Sequence, residues 1–175
     1  MEPDNQQEVL EEIEEQEQIE EGTREQLIVF KLGQEEYALP IAQIKEVVLT
    51  PRISAMPQTP DYVKGIANIR GNVISIMDFE EKFGLNGSAK KGVGSNGINY
   101  TLVIESEDYH VGILVKEVPN TLTILSSKID SSSNIMQHST LDESVIKGIV
   151  KAKDRMIILI DVLLMMQSGE LKTKL

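Results

Sequence analysis

Short apolar runs separated by turn residues recur along the chain from Leu27 onward. LIVFKL and YALPI flank a Gly33-Gln34-Glu35-Glu36 turn, which predicts a β-hairpin. In the next run, IAQIKEVV, apolar residues recur at helical spacing after Pro40, which predicts a short helix there. Residues 65–79, GIANIRGNVISIMDF, place two apolar runs around a polar centre. Gly71-Asn72 adopt positive φ at low cost and predict a second hairpin.

The second half of the chain repeats this pattern. GIVKAKDRMIILIDV, residues 148–162, aligns without gaps on residues 65–79. TLVIE and YHVGILV predict another hairpin, and Lys116-Glu117-Val118 matches Lys45-Glu46-Val47. Three similar segments in the same order indicate an internal duplication.

The duplication predicts a mainly all-β fold of two small, five-stranded SH3-like β-barrels. A short helix follows the first hairpin, and a C-terminal helix over 161–168 begins at Asp161 as its N-cap. Because one small barrel alone would be marginally stable, the two should share an apolar seam. The sequence leaves open whether the halves exchange strands.

The negative charge is concentrated at the N-terminus. The net charge is −11, and residues 1–26 carry eleven acidic residues and one Arg, a net −10. The remaining residues carry 17 acidic and 16 basic side chains. We therefore expect a disordered acidic tail over 1–24 and a folded part over 25–168. Within it we expect repeat A at about 27–83, a Gly/Ser-rich loop at 84–99 and repeat B at about 100–162.

Composition excludes several classes of function. The chain has no Cys and two His, so we expect no metal site and no cofactor. The glycine pattern at 92–97 precedes a strand, whereas a dinucleotide-binding motif should follow one. No basic stripe is present for nucleic acid. The longest apolar run, Met156 to Met166, contains Asp161 and is too short for membrane insertion. The acidic N-terminus does not resemble a signal peptide, which favours the cytoplasm.

Several short motifs together resemble the CheW-type chemotaxis coupling proteins over about residues 25–168. Ile69 and Ser75 depart from the Leu and Pro that are common in that family. The acidic tail is not part of the pattern. The motifs are Phe30-x-Leu32-Gly33-x-Glu35-x-Tyr37, Ile44-Lys45-Glu46-Val47, Val63-Lys64-Gly65, Asn68-Ile69-Arg70-Gly71 and Val111-Gly112-Ile113.

The resemblance implies a non-enzymatic scaffold of two-component signalling. Such proteins are cytoplasmic adaptors that join chemoreceptor (methyl-accepting) signalling tips to the regulatory domain of the histidine kinase CheA at membrane-associated receptor arrays. We expect a monomer when the protein is isolated. In the family an acid and the Arg of the N-L-R-G motif form a pair on the partner-facing surface, and Glu46 and Arg70 match them. The receptor-binding residues implied are Ile44, Glu46, Gly65, Arg70, Val111, Gly112 and Val115.

Other interpretations remain open at this point. Kinase-binding residues are unknown, and the ends of the second barrel are where we would look for them. Glu46 and Arg70, taken as charges alone, are equally typical of a solvated surface. The adaptor could serve another CheA-like pathway, such as surface motility. A small enzyme or ligand-binding barrel would instead show a deep polar pocket with perturbed carboxylates.

Overall fold

A computed structural model describes residues 22–85, 98–131 and 145–167 of the chain. Most of the predicted tail, most of the predicted loop 84–99 and residue 168 therefore lie outside the described residues. Two single 3-10 turns occur at Ile41–Gln43 and Ser126–Lys128. The helices are α1 (Phe79–Lys82) and α2 (Val162–Gln167). The strands are β1 (Arg24–Leu32), β2 (Glu35–Pro40), β3 (Ile44–Leu49), β4 (Val63–Ile69), β5 (Asn72–Met77), β6 (Tyr100–Glu105), β7 (His110–Val115), β8 (Asn120–Leu125), β9 (Ile129–Asp130), β10 (Ile146–Ala152) and β11 (Arg155–Ile160).

The two halves of the chain exchange their first hairpins. One sheet has six strands in the order β8-β1-β2-β11-β10-β9, and the other has five in the order β3-β6-β7-β5-β4. Hairpin β1–β2 of the first half thus lies among strands of the second half, and hairpin β6–β7 lies among strands of the first. Each inserted hairpin makes one parallel contact, β2 with β11 and β7 with β5. The mainly β fold is confirmed, the exchange is reciprocal, and closure into SH3-like barrels stays a prediction.

Two glycines that the duplication aligns occupy equivalent places in the two sheets. Strands β4 and β10 both shift register at their glycine, Gly65 or Gly148. A Cβ added to Gly65 would lie 2.7 Å from the carbonyl carbon of Ser54, and one added to Gly148 would lie 2.9 Å from the carbonyl oxygen of Asp130. In each sheet a neighbouring segment therefore covers the strand at this glycine. This shared irregularity supports the predicted duplication.

The predicted match of Lys116-Glu117-Val118 to Lys45-Glu46-Val47 is out of register. β8 holds the place in the six-stranded sheet that β3 holds in the other. Glu46 pairs with Val103, and Asn120 pairs with Val29, which occupies the equivalent position in its inserted hairpin. The counterpart of Glu46 is therefore Asn120. A three-residue similarity was too short to fix the alignment, which these strand pairs place three positions further along the second half.

The predicted helix after Pro40 is wrong beyond its first turn. Residues 41–43 form a 3-10 turn, and Ile44 begins strand β3, which pairs with β6. The run contains Val47 and Val48, whose branched side chains fit a pleated strand better than a helix. The same residues also alternate between half-buried and exposed positions, the period of a strand.

An apolar core joins the two sheets, as we expected from the marginal stability of a single small barrel. Along β1 the side chains alternate, so that Ile28 and Phe30 face the core between the sheets while Leu27 and Val29 face a second cluster on the other side. A third cluster lies on the face of the five-stranded sheet opposite the central core. Strands covered on both faces become continuous apolar runs, which explains LIVF. Both helices contribute to the central core, α1 through Phe79.

Both helices begin at the aspartates that the repeat aligns. Asp78 Oδ1 accepts a hydrogen bond from Glu81 N at 3.2 Å, and Asp161 Oδ1 accepts one from Leu164 N at 3.0 Å. The predicted capping role of Asp161 is therefore confirmed, and Asp78 has the same role. Burial raises the pKa of the Asp78 carboxyl group. In α2, Met165 and Met166 are buried in the core, whereas Leu164 is exposed.

Buried Glu80 connects three segments of the fold, and its removal is expected to destabilise the protein. Its Oε1 accepts a hydrogen bond from Gly33 N at 3.0 Å, and its Oε2 is paired with Lys116. Glu80→Ala should lower the free energy of unfolding by roughly 2–3 kcal/mol, because a buried N–H loses its acceptor. Urea unfolding measures this change. The control is Glu107→Ala at an exposed turn residue, whose free energy of unfolding should stay within about 0.5 kcal/mol of the wild-type value. Equal losses in the two variants would contradict the role of Glu80 in connecting the three segments.

Candidate functional site

An ion pair between Glu46 and Arg70 joins the two edges of the five-stranded sheet. Glu46 lies on edge strand β3, and Arg70 lies in the turn after edge strand β4. Arg70 Nε donates a hydrogen bond to Glu46 Oε2 at 2.6 Å. Because β3 and β4 are the first and last strands of the sheet, the sheet must curve for these two side chains to meet. The structure thus brings together the two charged residues that the sequence singled out.

The turn that carries Arg70 differs from the predicted one. Arg70 and Gly71 have φ values of 53° and 87°, so they, and not Gly71-Asn72, are the central residues. Positive φ at both central positions is the requirement of a type I′ hairpin turn. Gly71 N donates to Asn68 Oδ1 at 2.9 Å, which fixes the turn from within the hairpin. The rigid turn holds the base of the Arg70 side chain in one direction.

Arg70 is available to a partner, whereas Glu46 is largely covered. The Arg70 side chain is 76% exposed and that of Glu46 is 19% exposed. Within the described residues Arg70 makes only this one hydrogen bond, so its other guanidinium N–H groups have no protein partner. An exposed pair of this kind adds only about 0–1 kcal/mol to stability. The ion pair therefore orients a cation at the surface, and the fold does not depend on that pair for its stability.

The remaining residues of the implied receptor-binding set lie beneath the surface. Val111 and Val115 are each 1% exposed and belong to the core between the sheets. A Cβ on Gly112 would lie 2.5 Å from Thr101 Cγ2, so Gly112 is packed under a neighbouring strand. Ile44 is half-buried against the same core. These residues support the surface from below, and the buried valines present no side chain to a partner.

Gly65 is likewise buried, and its role in the structure is close packing. Its φ of 134° lies in a region that L side chains rarely adopt. Ser54 and Ala55 cross directly over it, and Ser54 pairs with Ile66 through two backbone hydrogen bonds. A glycine is therefore required so that the segment before β4 can close over the sheet.

Comparisons with known proteins agree with this architecture. A family model described as "CheW-like domain" matches residues 26–170. The chain belongs to the CheW-like family. It is 28% identical over 147 residues to "Chemotaxis protein CheW" of Klebsiella aerogenes, covering 84% of each chain, and 31% identical over 137 residues to that of Helicobacter pylori, covering 78% of each. A crystal structure of the scaffolding protein TtCheW from Thermoanaerobacter tengcongensis matches with a TM-score of 0.68 and 29% identity, over 80% of this chain and 86% of that one.

CheW-like proteins are chemotaxis scaffolds and adaptors, not enzymes. In the parts of the chain that the structure describes, no group of three His, Cys, Asp or Glu side chains is placed to hold a metal ion. Over the same residues, neither helix has the length and apolar composition needed to cross a bilayer.

Sequence reasoning missed a second charged group in this CheW-like domain. Glu105 is paired with Lys45 and lies 3.2 Å from His110 Nε2. Its hydrogen bond from Lys45 lowers the pKa of the Glu105 carboxyl group. Because β7 runs parallel to β5, this group lies at the same end of the sheet as Arg70. The signal was available, since Glu105 and His110 flank the turn of the hairpin predicted from TLVIE and YHVGILV, at paired positions.

Proposed function

We propose that this protein is the adaptor that couples chemoreceptor signalling tips to the regulatory domain of CheA. Membership of the CheW-like family supports the scaffold role. The observation that carries the receptor assignment is the pair of Glu46 and Arg70, which leaves an oriented, exposed guanidinium at one end of the five-stranded sheet. The proposed setting is the cytoplasmic face of a receptor array, with the isolated protein a monomer.

The proposed receptor surface combines this cation with exposed apolar side chains. Val73 is 58% exposed and pairs with Asn68 in the Arg70 hairpin, and Val47 is exposed beside Glu46. An amphipathic helix can place its apolar face on such residues while a carboxylate on it meets the free guanidinium N–H groups. The buried residues Val111, Gly112, Val115 and Gly65 form the rigid support of this surface. We place the kinase contact at sheet ends away from Arg70.

A three-component binding experiment tests the adaptor function. A soluble receptor signalling-tip fragment is fixed to beads and incubated with the CheA regulatory domain, with and without this protein. We expect the kinase domain to be retained well above the bead background only when this protein is present, because the adaptor supplies both contacts. Each pairwise mixture with the adaptor should also give a complex. Equal retention of the kinase domain without the adaptor, or an adaptor that binds neither partner, would contradict the proposal.

A further inference from the structure

The six-stranded sheet carries a stripe of lysines that no acidic side chain neutralises within the described residues. The stripe consists of Lys128, Lys151 and Lys153, all exposed and outside every ion pair formed there. Lys128 directly precedes Ile129 and Lys151 directly follows Val150, and Ile129 and Val150 form the last β9–β10 pair. Like charges at opposing positions of neighbouring strands are destabilising. An anionic occupant would relieve this repulsion.

The duplication shows what is unusual about this stripe. Lys153, at φ 54°, is the counterpart of Arg70, at φ 53°, in the equivalent hairpin of the other sheet. Arg70 has the carboxylate of Glu46 as its partner. The position equivalent to Glu46 is Asn120, which carries no charge. The β4–β5 hairpin therefore has its cation neutralised within the fold, and the β10–β11 hairpin does not.

A strongly acidic segment of the same chain immediately precedes residues that lie beside the stripe. Residues 1–21 contain ten acidic residues and no basic ones. The segment leads into Thr23, whose carbonyl oxygen accepts hydrogen bonds from Ser126 N at 2.9 Å and Ser126 Oγ at 2.6 Å. Ser126 opens the single 3-10 turn that ends at Lys128. A 21-residue segment reaches about 25 Å as a coil, enough to cover the three lysines.

We propose that the acidic segment 1–21 docks in cis on the stripe of Lys128, Lys151 and Lys153. The contact is electrostatic and therefore exchangeable, and it covers this side of the six-stranded sheet. It leaves the surface around Arg70, on the other sheet, to the proposed receptor contact. The proposal does not depend on the proposed receptor contact.

A single spin label tests the docking in the full-length protein. The chain has no Cys, so Leu10→Cys provides a unique site for a nitroxide. At about 0.01 M salt we expect amide signals around Lys128 and residues 151–153 to relax about threefold faster than those around Arg70, and at about 1 M salt the difference should vanish, since screening shortens from about 30 Å to about 3 Å. Uniform relaxation at low salt would overturn the proposal.

Charge reversals identify the binding surface. The triple change Lys128→Glu, Lys151→Glu and Lys153→Glu should abolish the local enhancement, whereas Arg70→Glu, the same reversal on the equivalent hairpin, should leave it intact. Enhancement that survives the triple change would overturn the proposal. If the triple variant fails to fold by circular dichroism, replacing the acidic residues of 8–21 by Gln gives the decision, because this change alters no residue of the described strands. Loss of enhancement supports the docking, and its persistence refutes it.

Discussion

Replacing Gly65 with alanine is expected to remove most of the stability of this domain. The new Cβ would lie 2.7 Å from the carbonyl carbon of Ser54 and 2.9 Å from Ala55 Cα, both backbone atoms that cannot rotate away. The φ of 134° adds strain that an L residue does not otherwise accept. Together the clash and the strain should cost more than about 3 kcal/mol in the free energy of unfolding. Urea unfolding followed by circular dichroism measures the loss.

Gly71→Ala is the matched control for this substitution. Gly71 also has a positive φ, 87°, but a Cβ there would meet nothing within 4 Å. The control therefore isolates backbone strain, which costs about 1–2 kcal/mol. Equal losses for the two variants would show that the segment over Gly65 is not packed as the structure indicates.

Arg70→Glu is expected to weaken binding of the receptor tip by about tenfold or more. The change replaces the exposed guanidinium by a carboxylate, which would repel an acidic partner and Glu46 alike. Stability should change by no more than about 1 kcal/mol, because the pair is exposed. Titration of a soluble receptor-tip fragment, followed by fluorescence anisotropy, measures the affinity, and thermal unfolding verifies the fold.

Two comparisons separate this effect from a general change in charge. Lys153→Glu makes the same reversal on the equivalent hairpin of the other sheet and should leave receptor binding unchanged. The affinity of Arg70→Glu for the CheA regulatory domain should fall less than its affinity for the receptor tip. A variant that binds the receptor normally, or that simply unfolds, would place the receptor surface elsewhere.

The hairpins could be predicted from sequence because their signals are local. Alternating apolar residues around Gly33 and Gly71 determine strand, turn and strand within fifteen residues. Segment 41–48 was mispredicted because its isoleucines and valines satisfy both the helical period and the period of two. Pairing of β3 with β6, some 55 residues away, decided between them.

The exchange of hairpins had no local signal. Hairpin β1–β2 has the same pattern whether it pairs within its own half or with β11 and β8 of the other half. The choice depends on which arrangement best fills the core between the sheets, and that core is built from residues far apart in sequence. The duplication itself was visible, because its aligned glycines and aspartates keep the same packing and capping roles.

The candidate site was only partly predictable for a related reason. Small and branched apolar residues such as Gly112 and Val111 are typical both of a docking surface and of a strand buried on two faces, and here they are buried. The charged residues carried the clearer signal. Glu46 and Arg70 lie 24 positions apart in sequence and still meet, because the curled sheet brings its first and last strands together.

The double reversal Glu46→Arg with Arg70→Glu tests the central claim most directly. Receptor-tip affinity is measured for the wild type, both single variants and the double variant, with unfolding midpoints as the check on folding. If the two residues act as a unit on the receptor surface, each single change weakens binding and the double change recovers part of the loss, a coupling free energy of about 1 kcal/mol or more. Losses that simply add, or single variants that bind as tightly as the wild type, would contradict the claim.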